Sequence, residues 1–243
     1  MTNKLKLQQL LKLLDLTRLN DDDSQEAMQE WLQQTAIASA VPAAFCVYPQ
    51  FLKQTSSHLH SQQMTAELAT VVNFPSGDAP IAVVVAEIAA ALQLGATEID
   101  CVLPYKALLA GHTEQVRDFL IEVRRACGDT CLKIIIESGE LVTPQQIIKA
   151  TELCIQTGAD FVKTSTGKVP VGATVESARS ILTVIAASER FVGFKASGGV
   201  RTVAQALELV QLYEEITGRL ASAEGMRIGA SALLTELRAQ LGD

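Results

Sequence analysis

Two lysines stand at the ends of apolar runs in this chain: Lys163 in "FVKTSTG" (161–167) and Lys195 in "GFKASGG" (193–199), each opening a K-x-S-x-G pattern. An ammonium among apolar neighbours either snorkels to solvent or is kept for chemistry. On adjacent strands, about 4.8 Å apart, the two amines are expected within roughly 6 Å of each other. Like charges at that distance repel by roughly 3 kcal/mol at an effective dielectric of about 20, on the order of two pK units. One lysine should then be partly neutral near pH 7, and a neutral amine attacks carbonyls to form an imine. Asp100, in "EIDCVLP" (98–104), is expected to face the pair and pass protons through a water, with Lys133 holding that carboxylate ionised and oriented. Singly, each lysine reads as a snorkelling strand end and Asp100 as a cap or a structural ion pair. Their conjunction points to catalysis.

Such a grouping needs a scaffold that turns separate strand ends toward one space. Short apolar runs recur at 13–17, 43–49, 68–75, 98–104, 132–139, 161–167, 192–199 and 226–231, which makes eight candidate strands. Between them lie segments of helical periodicity, such as "DAPIAVVVAEIAAALQLGA" and "TPQQIIKATELCIQTGA", that stop at glycine. Alternating β and α units imply a parallel sheet. Eight of them, with no G-x-G-x-x-G after the first, predict an α/β fold of the (β/α)8 TIM-barrel type, one domain over 1–243. Polar residues gather at the strand ends, where barrel active sites lie: Asp15, Cys46, Asn73, Asp100, Glu137, Lys163 and Lys195. Alternation along each strand puts Asp100 on the face of Glu98, Lys163 on that of Phe161, and Lys133 on that of Ile135 and Glu137, with these polar members directed into the lumen.

Glycine and hydroxyl clusters at "STGK" (165–168), "SGGVR" (197–201) and "IGAS" (228–231) follow the sixth, seventh and eighth strands. Backbone N–H groups converge there in this fold, so Thr166, Gly167, Lys168, Gly198, Gly199 and Ser231 are candidates for holding a phosphate. Each cluster taken alone is also an ordinary tight βα turn.

Composition narrows the partners. A net charge of −7 without a basic face argues against nucleic acid. No apolar run reaches the roughly 18 residues of a membrane span, and the opening "MTNKLKLQQLLKLLDL" lacks the pattern of a signal peptide, so a cytoplasmic location is expected. Five scattered cysteines suggest neither a disulfide frame nor a zinc knuckle. His58, His60 and His112 give no ligand set for a metal, so no metal or other cofactor is expected.

Across these motifs, from "LLDLTRLNDDD" through "VVNFPSG", "EIDCVLPY", "LKIIIESGEL", "FVKTSTGKV" and "GFKASGGVRT" to "RIGASALL", the sequence resembles the deoxyribose-phosphate aldolases. These class I enzymes reversibly cleave 2-deoxy-D-ribose 5-phosphate to D-glyceraldehyde 3-phosphate and acetaldehyde. The resemblance implies that Lys163 is the imine-forming lysine, Lys195 the second lysine that lowers its pKa, and Asp100 the proton-relay aspartate. It puts Gly167, Lys168, Gly198, Gly199 and Ser231 on the phosphate, and Asp15 and Cys46 near the substrate hydroxyls. Where some members carry a second serine in the last motif this chain has Ala232, leaving backbone N–H groups to serve. A sugar phosphate and an aldehyde are the implied partners, and the apolar outer helix faces leave room for a homodimer. Two alternatives share the barrel: a class I or transaldolase-like enzyme with another substrate, and a non-catalytic sensor of sugar phosphates.

Overall fold

The structure, a computed structural model, describes residues 3–35 and 40–242; the single domain expected over 1–243 extends beyond these at residues 1–2, 36–39 and 243. Helix α1 (Asn3–Lys12) leads into strand β1 (Leu14–Arg18), followed by α2 (Gln25–Gln34), β2 (Ala44–Val47), α3 (Leu52–Ser61), β3 (Glu67–Val72) and α4 (Ile81–Gln93). Next come β4 (Glu98–Val102), α5 (Tyr105–Leu109), α6 (Thr113–Cys127), β5 (Cys131–Ile135), α7 (Ser138–Leu141) and α8 (Pro144–Gln156). The chain finishes with β6 (Phe161–Lys163), α9 (Val175–Ala187), β7 (Gly193–Ser197), α10 (Val203–Thr217), β8 (Met226–Ala230) and α11 (Leu233–Leu241).

The strands pair in sequence order, all parallel, and β8 closes on β1: the fold is a (β/α)8 TIM barrel. Closure is favoured because the strands are buried on both faces and must be covered twice, outside by a helix and inside by the opposite wall. The outward side chains Phe45, Ile99, Ile134, Val162 and Phe194 join the helices' apolar stripes in one continuous core. Ala44, Cys46, Ala69 and Val71 form a second, smaller apolar cluster on β2 and β3. The helices start where their sequences say. Thr174 and Thr202 each cap the following helix through a reciprocal capping box, and Thr143 and Ser24 accept from the first turns of α8 and α2. Among the described residues no helix is long and apolar enough to cross a membrane.

Register fixes which inward residues meet. Lys163 on β6 is level with Lys195 on β7, Lys195 is level with Arg227 on β8, and Asp100 on β4 is level with Lys133 on β5. Parallel pairing at equal level turns both side chains to the same face, so one inward cation implies another beside it.

Candidate active site

Seven charged side chains meet inside the barrel: Asp15, Glu98 and Asp100 with Lys133, Lys163, Lys195 and Arg227. Asp100 lies between the two lysines, its Oδ2 accepting from Lys163 Nζ and from Lys195 Nζ at 2.7 Å each. The two nitrogens therefore lie at most twice that distance apart, within the separation the sequence leads one to expect. The contact is direct, however, whereas the sequence led to a relay through water. Lys133 donates to Asp100 Oδ1 at 3.0 Å and to Glu98 Oε2. Lys195 also meets Asp15 Oδ2 at 2.5 Å, and Arg227 bridges Asp15 Oδ1 at 2.7 Å and Glu98 Oε1 at 2.9 Å. Gly229 makes room for this arrangement, because a Cβ there would stand 3.2 Å from Cε of Lys195 and 3.0 Å from Cβ of Ser197.

Burial and pairing push these groups in different directions. Asp100 and Asp15 are penalised by desolvation, yet the surrounding cations outweigh it and hold both carboxyls well below the usual range. Lys133 and Lys195 are likewise penalised by burial, and their carboxylate neighbours more than reverse it, so both sit above the ordinary lysine value. Lys163 goes the other way. Burial lowers its pKa first, Asp100 alone among the carboxylates opposes strongly, and Lys195 adds a further lowering. The sequence attributed the lowered lysine pKa to mutual repulsion; in the structure desolvation leads and repulsion assists.

The two depressed aspartates have a consequence for stability. A carboxyl whose pKa is lower in the folded than in the unfolded state stabilises the fold above its unfolded value, and that contribution is lost as pH falls through the folded value. Here the window opens near 3.8 and extends downward. The urea midpoint should be flat from pH 7 to about pH 5 and then drop, with at least about 2 kcal/mol lost by pH 2 to 3. A midpoint unchanged at pH 3 would contradict the pairing.

Above the cluster opens a cavity of about 470 Å³. Of the seven charged residues Lys163 alone lines it, being 2% exposed, while Asp100, Lys133 and Lys195 are fully enclosed beneath. Thr166, Gly167, Lys168, Gly198, Gly199 and Ser231 line the same cavity, so the structure brings together every residue expected at a phosphate. Asp15 and Cys46 do not reach it; both are fully buried, Asp15 against Lys195 and Arg227, and Cys46 on β2, where burial raises its thiol pKa. The loop after β6 is tied down by Glu137, whose carboxylate accepts from the N–H and O–H of Thr166, while Thr166 Oγ1 accepts from the Lys168 N–H at 3.0 Å. Gly198, at φ +81°, turns beneath that loop in the left-handed region, its Cα side close to Ser165 and Gly172, where another residue would be strained. Lys168 reaches over the mouth to Asp21, Nζ to Oδ1 at 2.8 Å, and Tyr48 donates to the same oxygen at 2.6 Å.

The roles of three residues escaped the sequence reading. Arg227 carries the signal that revealed the lysines, a cation between Met226 and Ile228 in an apolar strand, but no role was attached to it. Glu98 was placed on the inward face without a function. Glu137, expected in the lumen by strand alternation, lies past the end of β5 in a left-handed conformation (φ 52°) and holds Thr166, a contact that alternation does not predict.

A model of the DeoC/LacD family aldolases matches residues 9–235 of the chain. Among solved structures, a protein of Coccidioides immitis provisionally assigned as a deoxyribose-phosphate aldolase superposes with a TM-score of 0.83 at 28% identity, covering 96% of this chain and 87% of the other. QR15, an aldolase, gives a TM-score of 0.80 at 28% identity over 96% of each chain. The deoxyribose phosphate aldolase of Aeropyrum pernix, described as having a unique tetrameric structure, gives 0.78 at 23% identity over 99% of this chain and 98% of its own. At that identity the last likeness speaks for the fold.

Proposed function

Because the chain belongs to the DeoC/LacD family of aldolases and is thus a lyase, we propose that it reversibly cleaves 2-deoxy-D-ribose 5-phosphate to D-glyceraldehyde 3-phosphate and acetaldehyde through an imine at Lys163. The observation that carries this reading is the unequal treatment of the lysines. Lys163, the one lysine of the barrel floor that lines the cavity, is the one whose pKa is lowered, while Lys195 and Lys133 are held protonated below it. The amine of Lys163 attacks the C1 aldehyde of the open-chain sugar, and loss of water from the carbinolamine leaves a protonated imine. That cation draws in the electrons of the C2–C3 bond as the C3 hydroxyl gives up its proton, releasing glyceraldehyde 3-phosphate. Protonation of the enamine at C2 and hydrolysis free acetaldehyde and restore the amine. Asp100, touching both lysines, is positioned to carry the protons, and Lys195 replenishes it.

In this reading the glycine turns at Gly167, Gly198 and Gly199, with Thr166 and Ser231, hold the 5-phosphate, and Lys168 leaves Asp21 to pair with it. Asp15, Cys46 and Lys133 act from below the substrate by shaping and charging the floor. The reaction belongs to deoxyribose phosphate catabolism in the cytoplasm, carried out by a single domain. Replacing Lys168 by alanine should raise KM for the phosphorylated sugar about tenfold to a hundredfold, the worth of a charge-assisted contact, with kcat within a few-fold of normal. Unphosphorylated deoxyribose should show no such change; an equal loss on both sugars would remove Lys168 from the phosphate.

The reading is tested by a retro-aldol assay on 2-deoxy-D-ribose 5-phosphate with and without a chelator. Equal, robust turnover in both arms is expected. Failure on this sugar with activity on another aldol would replace the substrate, and loss of activity with the chelator would replace the mechanism.

A further inference from the structure

The seven charged groups of the barrel floor do not share partners equally. Lys133 lies within ion-pair distance of all three carboxylates, Lys195 of Asp15 and Asp100, Arg227 of Asp15 and Glu98, and Lys163 of Asp100 only. Four cations thus divide three carboxylates. Arg227 is the member that cannot resolve the excess, since a guanidinium keeps its proton at any working pH. It is also fixed in place. Besides its two carboxylates, its Nε donates to the Ala223 carbonyl, and the guanidinium carbon lies 5.5 Å from the centre of the Phe161 ring. It makes no ion pair or hydrogen bond with Lys163 or Asp100 and does not line the cavity, so it is no catalytic residue.

We propose that Arg227 is a positioning residue for imine formation: by occupying Asp15 and Glu98 with a permanent charge it leaves Lys163 as the surplus cation, and hence the one that gives up its proton. The proposal rests on the imine reading given above. Without Arg227, Asp15 would draw harder on Lys195 and Glu98 on Lys133. Asp100 would then be left to Lys163, and the proton would stay.

The other titratable groups around the lumen do not compete for this role. On β2, Cys46 is a buried thiol, and on β3 the titratable side chain, Glu67, is exposed at the start of the strand. Glu137, just past β5, is engaged by Thr166 and makes no ion pair with Lys163. On β1, Arg18 lines the cavity but is paired with Asp23, and the thiols of Cys101 on β4 and Cys131 on β5 are raised by burial; the remaining groups on β1 and β4 to β8 are those already counted. The lowered pKa of Lys163, set first by burial and assisted by Lys195, agrees in direction.

The test is the pH profile of reductive trapping, using the full chain with acetaldehyde and cyanoborohydride from about pH 5 to about pH 10, each variant read against the unaltered protein at the same pH. Arg227→Gln, which keeps hydrogen-bonding capacity but not charge, should move the midpoint of trapping up by about one pH unit, so that trapping at pH 7 is about tenfold slower and recovers in alkali. Arg227→Lys should restore the midpoint. Glu98→Gln, which removes a carboxylate, should move it down. This opposite shift decides the matter should Arg227→Gln not fold. A midpoint unmoved in a folded Arg227→Gln protein, a uniform loss at all pH values, or an upward or absent shift in Glu98→Gln would overturn the proposal. Absence of trapping at Lys163 in the unaltered protein at every pH would instead overturn the imine reading itself.

Discussion

Replacing Lys163 by methionine is expected to lower turnover of 2-deoxy-D-ribose 5-phosphate by at least about four orders of magnitude, with the fold intact. The loss is large because the amine is the bond-forming atom, and removal of a covalent nucleophile is compensated by nothing else in a site. The fold survives because Lys163 is the least paired cation of the cluster, with Asp100 as its one carboxylate. Its sign in the pH balance is opposite to that of the aspartates. A lysine whose folded pKa is depressed costs stability below that value, and the cost fades as pH rises toward the unfolded value. Methionine, of similar length and uncharged, removes this cost, so the urea midpoint at pH 7 should equal or exceed that of the unaltered protein. A midpoint clearly lower, with turnover within a hundredfold of normal, would mean that Lys163 is structural.

Asp100→Asn should separate two events that Lys163 joins. Turnover is expected to fall by about 10² to 10⁴, the usual worth of a positioned general acid or base. Trapping of acetaldehyde at Lys163 should persist within about tenfold, because loss of the carboxylate removes the one strong influence that raises the pKa of that lysine. Stability should suffer more than in the lysine variant. Asp100 is fully buried and serves Lys133, Lys163 and Lys195 together, so its neutralisation leaves cations unpaired and costs about 3 to 5 kcal/mol. Comparison of trapping with turnover, both on folded protein at low urea, checks this. Parallel loss of both would assign Asp100 to holding the lysines rather than to moving protons.

Much of the barrel was legible because its signals are local. Eight apolar runs mark eight strands, and the helices after them stop at glycines such as Gly95 and Gly158, both at positive φ. Lys163 and Lys195 stood out because a cation in an apolar strand has few explanations. Alternation then put Asp100, Glu98 and Lys133 on the same inward side, where the structure has them. What stayed hidden depends on distance in the chain. Arg227 reaches Asp15 across 212 residues, and Lys168 reaches Asp21 across 147, so neither contact leaves a trace in local spacing. Glu137 was expected in the lumen, but its hold on Thr166 was not, since its left-handed backbone lies past the end of β5 and its partner comes from the loop after β6. The leading cause of the lowered Lys163 pKa was also out of reach, because spacing gives the distance between two charges but not how deeply either is buried.

The measurement that bears most directly on the account is reductive trapping at pH 7 with acetaldehyde, followed by peptide mapping of all lysines. A two-carbon adduct on Lys163, with Lys195 and Lys133 unmodified, is the predicted result, because the buried pair is held protonated while Lys163, of these three, faces the cavity. An adduct on Lys195 or Lys133 in preference to Lys163, or no adduct on any of the three, would contradict it.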